Sequence, residues 1–332
     1  MHELIRLILD SLPKATRRIA PVNWFGGKGL LARKLLPLIP RGKVYVEPYG
    51  GGASLLFNRD PVNVEVYNDL DEDLVNLFRA LQNPLRFRWL LHRLTWTLYS
   101  RKEYERAVRT LQNPHAPPNA RAWALFVAQN QGIGGMTKRD LKSWGRVITP
   151  TKQQCQVTRK LRVKMGTLRW WHERLTRVQI ECRNALHVIE RWDSRDTVLY
   201  IDPPYVPSTR KDLKYKYEAS DKHHCKLLEL ILTVKGAVII SGYDNALYKP
   251  LTEAGWEKNN FKTHCFASAM HRGKDGKPQK RSSRTETVWR NQRAIEMCRE
   301  EAQGREKVRK EKVLQVQSQT TQKRQRKNTK NY

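Results

Sequence analysis

The sequence predicts an α/β protein: a Rossmann-like sheet, mixed but mainly parallel, assembled from both ends of the chain with a helical segment inserted between the halves. Three observations predict it. The runs Val198-Leu199-Tyr200-Ile201 and Ala237-Val238-Ile239-Ile240 are apolar or aromatic at every position, which suits strands covered on both faces. Val44-Tyr45-Val46-Glu47 reads as a strand leading through the glycine-rich Pro48-Tyr49-Gly50-Gly51-Gly52-Ala53-Ser54 into an apolar helix, the opening unit of a nucleotide-type α/β site. Between residues 84 and 175 this pattern gives way to helical segments, and it resumes at Val178.

Taken in order, residues 1–20 carry Leu4, Ile5, Ile8 and Leu12 at helical spacing before Pro13, and so predict an amphipathic helix. The loop Asn23-Trp24-Phe25-Gly26-Gly27-Lys28 offers a stacking face, a close backbone approach and a cation. It leads into a helix over Leu30 to Leu36. After the first strand and the glycine turn, Val62 to Tyr67 is a second strand ending in Asn68-Asp69. Asp69 stands about twenty residues past the turn, where an acid can hydrogen-bond ribose hydroxyls; its other reading is the N-cap of the helix through Leu74, Leu77 and Leu81.

Residues 84–175 interleave Arg86, Arg88, Arg93, Arg101, Arg106 and Arg109 with Phe87, Trp89, Trp96, Tyr99 and Tyr104. The polar stretch Gln129-Asn130-Gln131 offers amides able to read adenine edges, and the basic groups Lys138 to Arg146 and Arg159 to Arg169, Lys164 included, suit phosphates. Most of the tryptophans are expected in packing. Beyond this insertion, Val178 to Cys182 is a strand, Ala185 to Trp192 a helix, and the Val198 strand follows. A tyrosine-bearing basic loop, Val206 to Ser220, precedes a helix opened by Asp221-Lys222-His223-His224, whose adjacent histidines face different directions and cannot chelate together. Phe261 to Ala267 and Thr285 to Arg290 form a closing antiparallel pair around the basic loop His271 to Arg284. The expected organisation is 1–83 with 176–291 as one domain, 84–175 as the inserted domain, and 292–332 as a basic tail, a frayed helix becoming disordered.

Composition bounds the partners. Sixty-three Lys and Arg against 32 Asp and Glu give a net charge of +31, an excess that points to a polyanion, most plausibly nucleic acid. The five cysteines are scattered, with no C-x-x-C pair, which argues against a zinc site or a disulfide framework and for a reducing, cytoplasmic setting. No apolar run is long enough for a bilayer span. Neither a metal nor a membrane partner is expected.

The chemistry concentrates where the Val198 strand ends, in Asp202-Pro203-Pro204-Tyr205. In an open α/β sheet, ligands bind outside the carboxyl ends of the strands. If the ligand is a planar amine such as the exocyclic amino group of a nucleobase, Asp202 can accept one N–H, the prolines can aim the Pro203 carbonyl at the second, and Tyr205 can stack. An Asp-Pro-Pro turn after a core strand is the plainer reading of the same residues.

Trp24-Phe25-Gly26-Gly27-Lys28, Val46-Glu47-Pro48-Tyr49-Gly50-Gly51-Gly52, Asn68-Asp69, Asp202-Pro203-Pro204-Tyr205, Ile240-Ser241-Gly242-Tyr243 and Arg284-Thr285-Glu286-Thr287-Val288-Trp289, in this order, resemble the Dam-type (D12) class of adenine-N6 DNA methyltransferases. The resemblance covers residues from about 22 to 291. It implies a site-specific transfer of methyl from S-adenosylmethionine to a flipped adenine in duplex DNA, in a bacterial cell or phage-infected host, by a monomer or weak dimer. It also implies that Trp24 and Lys28 line the cofactor pocket, that Glu47, Pro48, Gly50 and Gly52 lie against the methionine end, and that Asp69 binds the ribose. Asp202, Pro203, Pro204 and Tyr205 would form the catalytic tetrapeptide, with Asp202 also at the cofactor. Where the family often has an acid after the third strand, this chain has Asn184, so the contact to the cofactor's adenine is not carried over. An RNA or protein side-chain methyltransferase, or an inactive DNA-binding decoy, would share the tetrapeptide; the large basic insertion and the motif order favour the DNA enzyme. The recognition sequence and any restriction-modification partner are left open.

Overall fold

The apolar runs become strands whose successive side chains serve opposite faces of one sheet. The computed structural model describes residues 20–24, 26–133, 143–145, 156–206, 217–264 and 283–328, with a few positions before residue 13. Its strands are β1 Val44–Glu47, β2 Val64–Asn68, β3 Val178–Glu181, β4 Thr197–Ile201, β5 Ala237–Gly242, β6 Glu257–His264 and β7 Ser283–Arg290. Their spatial order is β3-β2-β1-β4-β5-β7-β6. The first five neighbours run parallel, and β7 is antiparallel to both β5 and β6, so the mixed, mainly parallel sheet and the closing pair agree with expectation. Most of the expected N-terminal helix, Phe25, most of the run Lys138 to Arg146 apart from residues 143–145, most of the loop Val206 to Ser220, and all of the loop His271 to Arg284 but its last two residues lie outside the described residues.

The helices are α1 Ala32–Leu35, α2 Ser54–Asn58, α3 Glu72–Gln82, α4 Pro84–Thr95, α5 Arg101–Gln112, α6 Pro118–Gln131, α7 Gln156–Leu175, α8 Ala185–Trp192, α9 Asp221–Ile231, α10 Lys249–Glu253 and α11 Gln292–Asn328. Side-chain caps start several of them: Asn83 accepts from Arg86 N, Ser100 from Glu103 N, Asn184 from Leu186 N and Ser220 from His223 N. Among the described residues no helix is long and apolar enough to cross a membrane.

Each face of the sheet has its own core. Val46, Val66, Leu199, Ile201, Val238 and Ile240 pack with α8 and α9 on one side. On the other, Tyr45, Tyr67, Val198, Tyr200 and Ile239 share a core with α3 and with the inserted helices, including Leu90, Leu111, Phe126, Leu168 and Trp171. The inserted helices thus share a core with the sheet's own layer, and Asn83, at the expected boundary, lies between α3 and α4. A buried ion pair ties it down, Arg174 of α7 reaching both carboxylate oxygens of Glu65 on β2 at 2.5 and 2.7 Å.

Three expectations are corrected. Gln129 and Gln131 are 4 % and 1 % exposed and Asn130 faces inward, so none is presented to a base edge. Gln131 accepts from Ser100 N and donates to Leu98 O, and Asn130 donates to Pro21 O; buried amides need such partners, and here they join α6 to its neighbours. Lys164 is buried as well, donating to Asn23 Oδ1 at 2.9 Å, with its pKa lowered to about 7 by burial and by Lys160; it braces the loop carrying Trp24 and is not a surface cation. The tail, expected to fray into disorder, continues as helix through Asn328. Ala294 and Met297 anchor its start in the core, and it is dominated by Arg, Lys, Glu and Gln, all strong helix formers, with Glu306 and Lys310 paired one turn apart at 2.9 Å.

Candidate active site

The order β3-β2-β1-β4-β5 reverses direction between β1 and β4, and the crevice at such a switch point is where open α/β sheets bind ligands. There β1 ends in Glu47 and β4 runs into Asp202. A cavity of about 290 Å³ opens between them, lined by Trp24, Lys28, Glu47, Pro48, Gly50, Gly52, Asp69, Pro204 and Asp202 among the residues expected from sequence. Pro203, which is buried, and Tyr205 are not among its lining residues. Tyr49, within the expected turn, lines it too, and Asp71, Asn184, Tyr200, Tyr217 and His223 line it without having been singled out as lining residues.

The glycine turn is built for close approach. A Cβ on Gly50 would collide with the Tyr67 ring and stand 2.9 Å from Asn68 O. Gly51 has φ +48°, in the left-handed region, and a Cβ there would lie 2.8 Å from Trp24 Cδ1. Asp69 fixes this turn. One of its carboxylate oxygens accepts from Gly51 N and the other from Asp71 N, both at 2.8 Å. The N-cap of α3 is Asp71, which accepts from Asp73 N and Leu74 N, so the capping alternative for Asp69 is set aside. Asn68 joins the strand ends, donating to Pro48 O and Arg183 O and accepting from Arg183 N.

The tetrapeptide meets a charge cluster that the sequence did not foreshadow. Lys28 Nζ lies 2.6 Å from each Asp202 oxygen, 2.8 Å from the Tyr205 hydroxyl and 3.4 Å from Glu286 Oε1. The Tyr205 hydroxyl donates to Glu286, and the Tyr205 ring meets Tyr243 edge-on at 4.5 Å. His224, fully buried on α9, lies 3.0 Å from Pro204 O and 3.1 Å from the Tyr248 hydroxyl. Because a carbonyl only accepts, Nε2 carries the proton and Nδ1 accepts from Tyr248, which holds the Pro-Pro turn in place. Neither His224 nor Glu286 had a signal in the sequence beyond its motif neighbours, since both act across long chain separations.

Burial sets the ionisation here. Asp202 is pushed up to about 6 by burial, against the pull of Lys28 and with Glu286 adding repulsion. Asp69 is raised to about 6 and Glu47 to about 7, in each case chiefly by burial. In the unfolded chain such groups ionise near pH 4. Their neutral forms therefore favour folding fully below about pH 4, and this contribution is lost as pH rises through 6 to 7. Glu47→Gln is expected to raise thermal stability at pH 7.5 relative to the wild type, by on the order of 2–3 kcal/mol at most, and to leave it little changed at pH 4.5. Melting curves across that range check this.

Five carboxylates, Glu47, Asp69, Asp71, Asp202 and Glu218, thus line one cavity, with Lys28 as the one lysine among the described residues, in a chain whose net charge is +31. That donor set suits a cationic ligand carrying hydroxyl groups, and the glycine turn admits it against the backbone. Among the described residues no cluster of three His, Cys, Asp or Glu could hold a metal ion.

Comparison with known proteins points the same way. Residues 24–271 match the model of the D12 class N6 adenine-specific DNA methyltransferases. The chain is 24% identical over 205 residues to a DNA N-6-adenine-methyltransferase of Escherichia phage P1, covering 60% of this chain but only 26% of that protein. It is 22% identical over 238 residues to a DNA adenine methylase of Salmonella typhi, covering 68% of this chain and 81% of the relative. A putative RNA methyltransferase from Pyrococcus horikoshii superposes over 87% of the chain at 11% identity with a TM-score of 0.35, too loose a fit to add to this.

Proposed function

The chain belongs to the D12 class of N6 adenine-specific DNA methyltransferases, and from that premise we propose that it transfers a methyl group from S-adenosylmethionine to the N6 of an adenine flipped out of duplex DNA. The observation that carries the reading is the Asp202 carboxylate, standing at the switch-point crevice on the rim of a carboxylate-lined cavity. The cofactor supplies a sulfonium methyl and carries an ammonium group and ribose hydroxyls. Asp69 would accept from the ribose, Glu47 and the turn from Pro48 to Gly52 would meet the methionine end, and Trp24 would cover it.

An adenine amino group is out of reach within the base stack, so the base must leave the helix to enter this crevice. Its N6 lone pair is delocalised into the ring. Acceptors on both N–H bonds, Asp202 and the Pro203 carbonyl, pull that nitrogen towards a tetrahedral nucleophile. Asp202 does so only when ionised, so turnover falls as pH drops through about 6. Tyr205, held by its hydroxyl, would offer its ring to the extruded base.

The DNA itself would lie along the exposed basic side chains of the insertion, Arg88, Arg101, Lys102 and Arg106 on α4 and α5 and Arg159, Lys160, Arg162 and Arg169 on α7. Helix α11 adds a second basic element. Removing residues from 300 onward is expected to preserve methyl transfer but weaken DNA binding, and to flatten its salt dependence by about 0.9 in slope for each phosphate that α11 neutralises. A salt titration of both forms checks this, and an unchanged slope would mean that α11 stays clear of DNA. Sequencing the modified bases in DNA from cells expressing the protein tests the whole reading: N6-methyladenine at one recurrent sequence is the expected result, and unmodified DNA would refute it.

A further inference from the structure

We propose that Glu286 is a positioning residue for the transfer: it provides a second seat for the Lys28 ammonium and, by drawing that ammonium off Asp202, frees the carboxylate to receive the substrate amine. The inference rests on the reading of Asp202 as the acceptor. As the site stands, Lys28 Nζ is bonded to both oxygens of Asp202 at 2.6 Å. An ammonium held that way occupies lone pairs and neutralises charge that an incoming N–H needs. Glu286 lies on β7, opposite Phe261 of β6, with its side chain 6 % exposed. Its Oε1 is 3.4 Å from the same ammonium, so closing that gap to hydrogen-bond length transfers Lys28 from one acid to the other. The Tyr205 hydroxyl lies between the two, accepting from Lys28 Nζ at 2.8 Å and donating to Glu286, and so keeps the second seat aligned.

The arrangement has little structural economy. A buried ion pair needs one acid for one base, whereas this ammonium faces two acids, each carrying a desolvation cost. What a second acid adds is a choice of partner. Lys28 is a compact charge on a flexible stem, able to make that move, as a rigid guanidinium fork would not be.

The test measures methyl transfer from labelled cofactor to duplex DNA for Glu286→Gln and Glu286→Asp, each alone and combined with Lys28→Met, with cofactor affinity and melting temperature alongside. Glu286→Gln should lower kcat at least tenfold while cofactor and DNA affinity stay within twofold. In the Lys28→Met background the same change should alter kcat less than twofold, because no ammonium remains to be moved. Equal losses in both backgrounds, or a Glu286→Gln protein as fast as wild type, would overturn the proposal. A Lys28→Met protein with no turnover would also overturn it, since the lysine would then act in transfer itself. Should Glu286→Gln fail to fold, Glu286→Asp, whose carboxylate reaches less far, carries the same comparison. A wild-type protein that methylates nothing would remove the reading of the site as a whole, whereas an active wild type with indifferent Glu286 variants removes this inference alone.

Discussion

Asp202→Ala lowers turnover by on the order of a hundredfold or more and leaves DNA affinity unchanged. Removing one preorganised hydrogen-bonding group from a developing charge typically costs about that much. The loss belongs in kcat because Asp202 matters most as the amine becomes a nucleophile. The proposed DNA contacts lie on other elements, α4, α5 and α7. The fold should tolerate the change: two acids, Asp202 and Glu286, stand around the Lys28 ammonium, and Lys28 keeps Glu286 as a partner at 3.4 Å. The buried ammonium is therefore not stranded, the circumstance that makes broken buried pairs so destabilising. Single-turnover methylation with fluorescence anisotropy for DNA binding checks both halves. Near-normal methylation by Asp202→Ala would place the chemistry elsewhere.

Asp69→Ala is expected to weaken cofactor binding by between tenfold and several hundredfold. The carboxylate holds Gly51 N and Asp71 N at 2.8 Å, so its removal leaves two backbone donors without their acceptor and loosens the turn against which the cofactor is proposed to lie. It also removes the acceptor proposed for the ribose, and charge-assisted hydrogen bonds contribute about 1.5–3 kcal/mol each. Helix α3 should stay intact, because Asp71 caps it. Calorimetric titration with the cofactor gives the answer, and an affinity within twofold of wild type would mean that neither Asp69 nor the turn it holds takes part in cofactor binding.

Much of this architecture is legible in the sequence because period and polarity are local properties. Four consecutive apolar residues at Val198 to Ile201 can only alternate between two buried faces, and a glycine turn after Glu47 leaves room that any side chain would fill. Asp69 and Asp202 stand out because strand ends in an α/β sheet are where ligands bind. What escapes depends on contacts between distant segments. Lys164 has the composition of a surface cation and becomes a buried brace only because Asn23 lies against it. Asn130 and Gln131 look like part of a reading head, but their amides are consumed by backbone groups of residues 21, 98, 100 and 126. In the sequence Tyr205 suggests only its ring, whereas its hydroxyl links Lys28 to Glu286, residues lying 177 and 81 positions away in the chain. The helical tail escapes for another reason: without an apolar stripe its helix is written only in propensity, which is a weak signal beside periodicity.

The central claim, that this crevice methylates adenine in DNA, is tested most directly by mixing the purified protein with radiolabelled S-adenosylmethionine and duplex DNA, digesting the product to nucleosides and identifying the labelled species. Label in N6-methyldeoxyadenosine, abolished by Asp202→Ala, is the predicted result. Label confined to RNA or to protein side chains when these are offered instead, or no label in any of them, would contradict it.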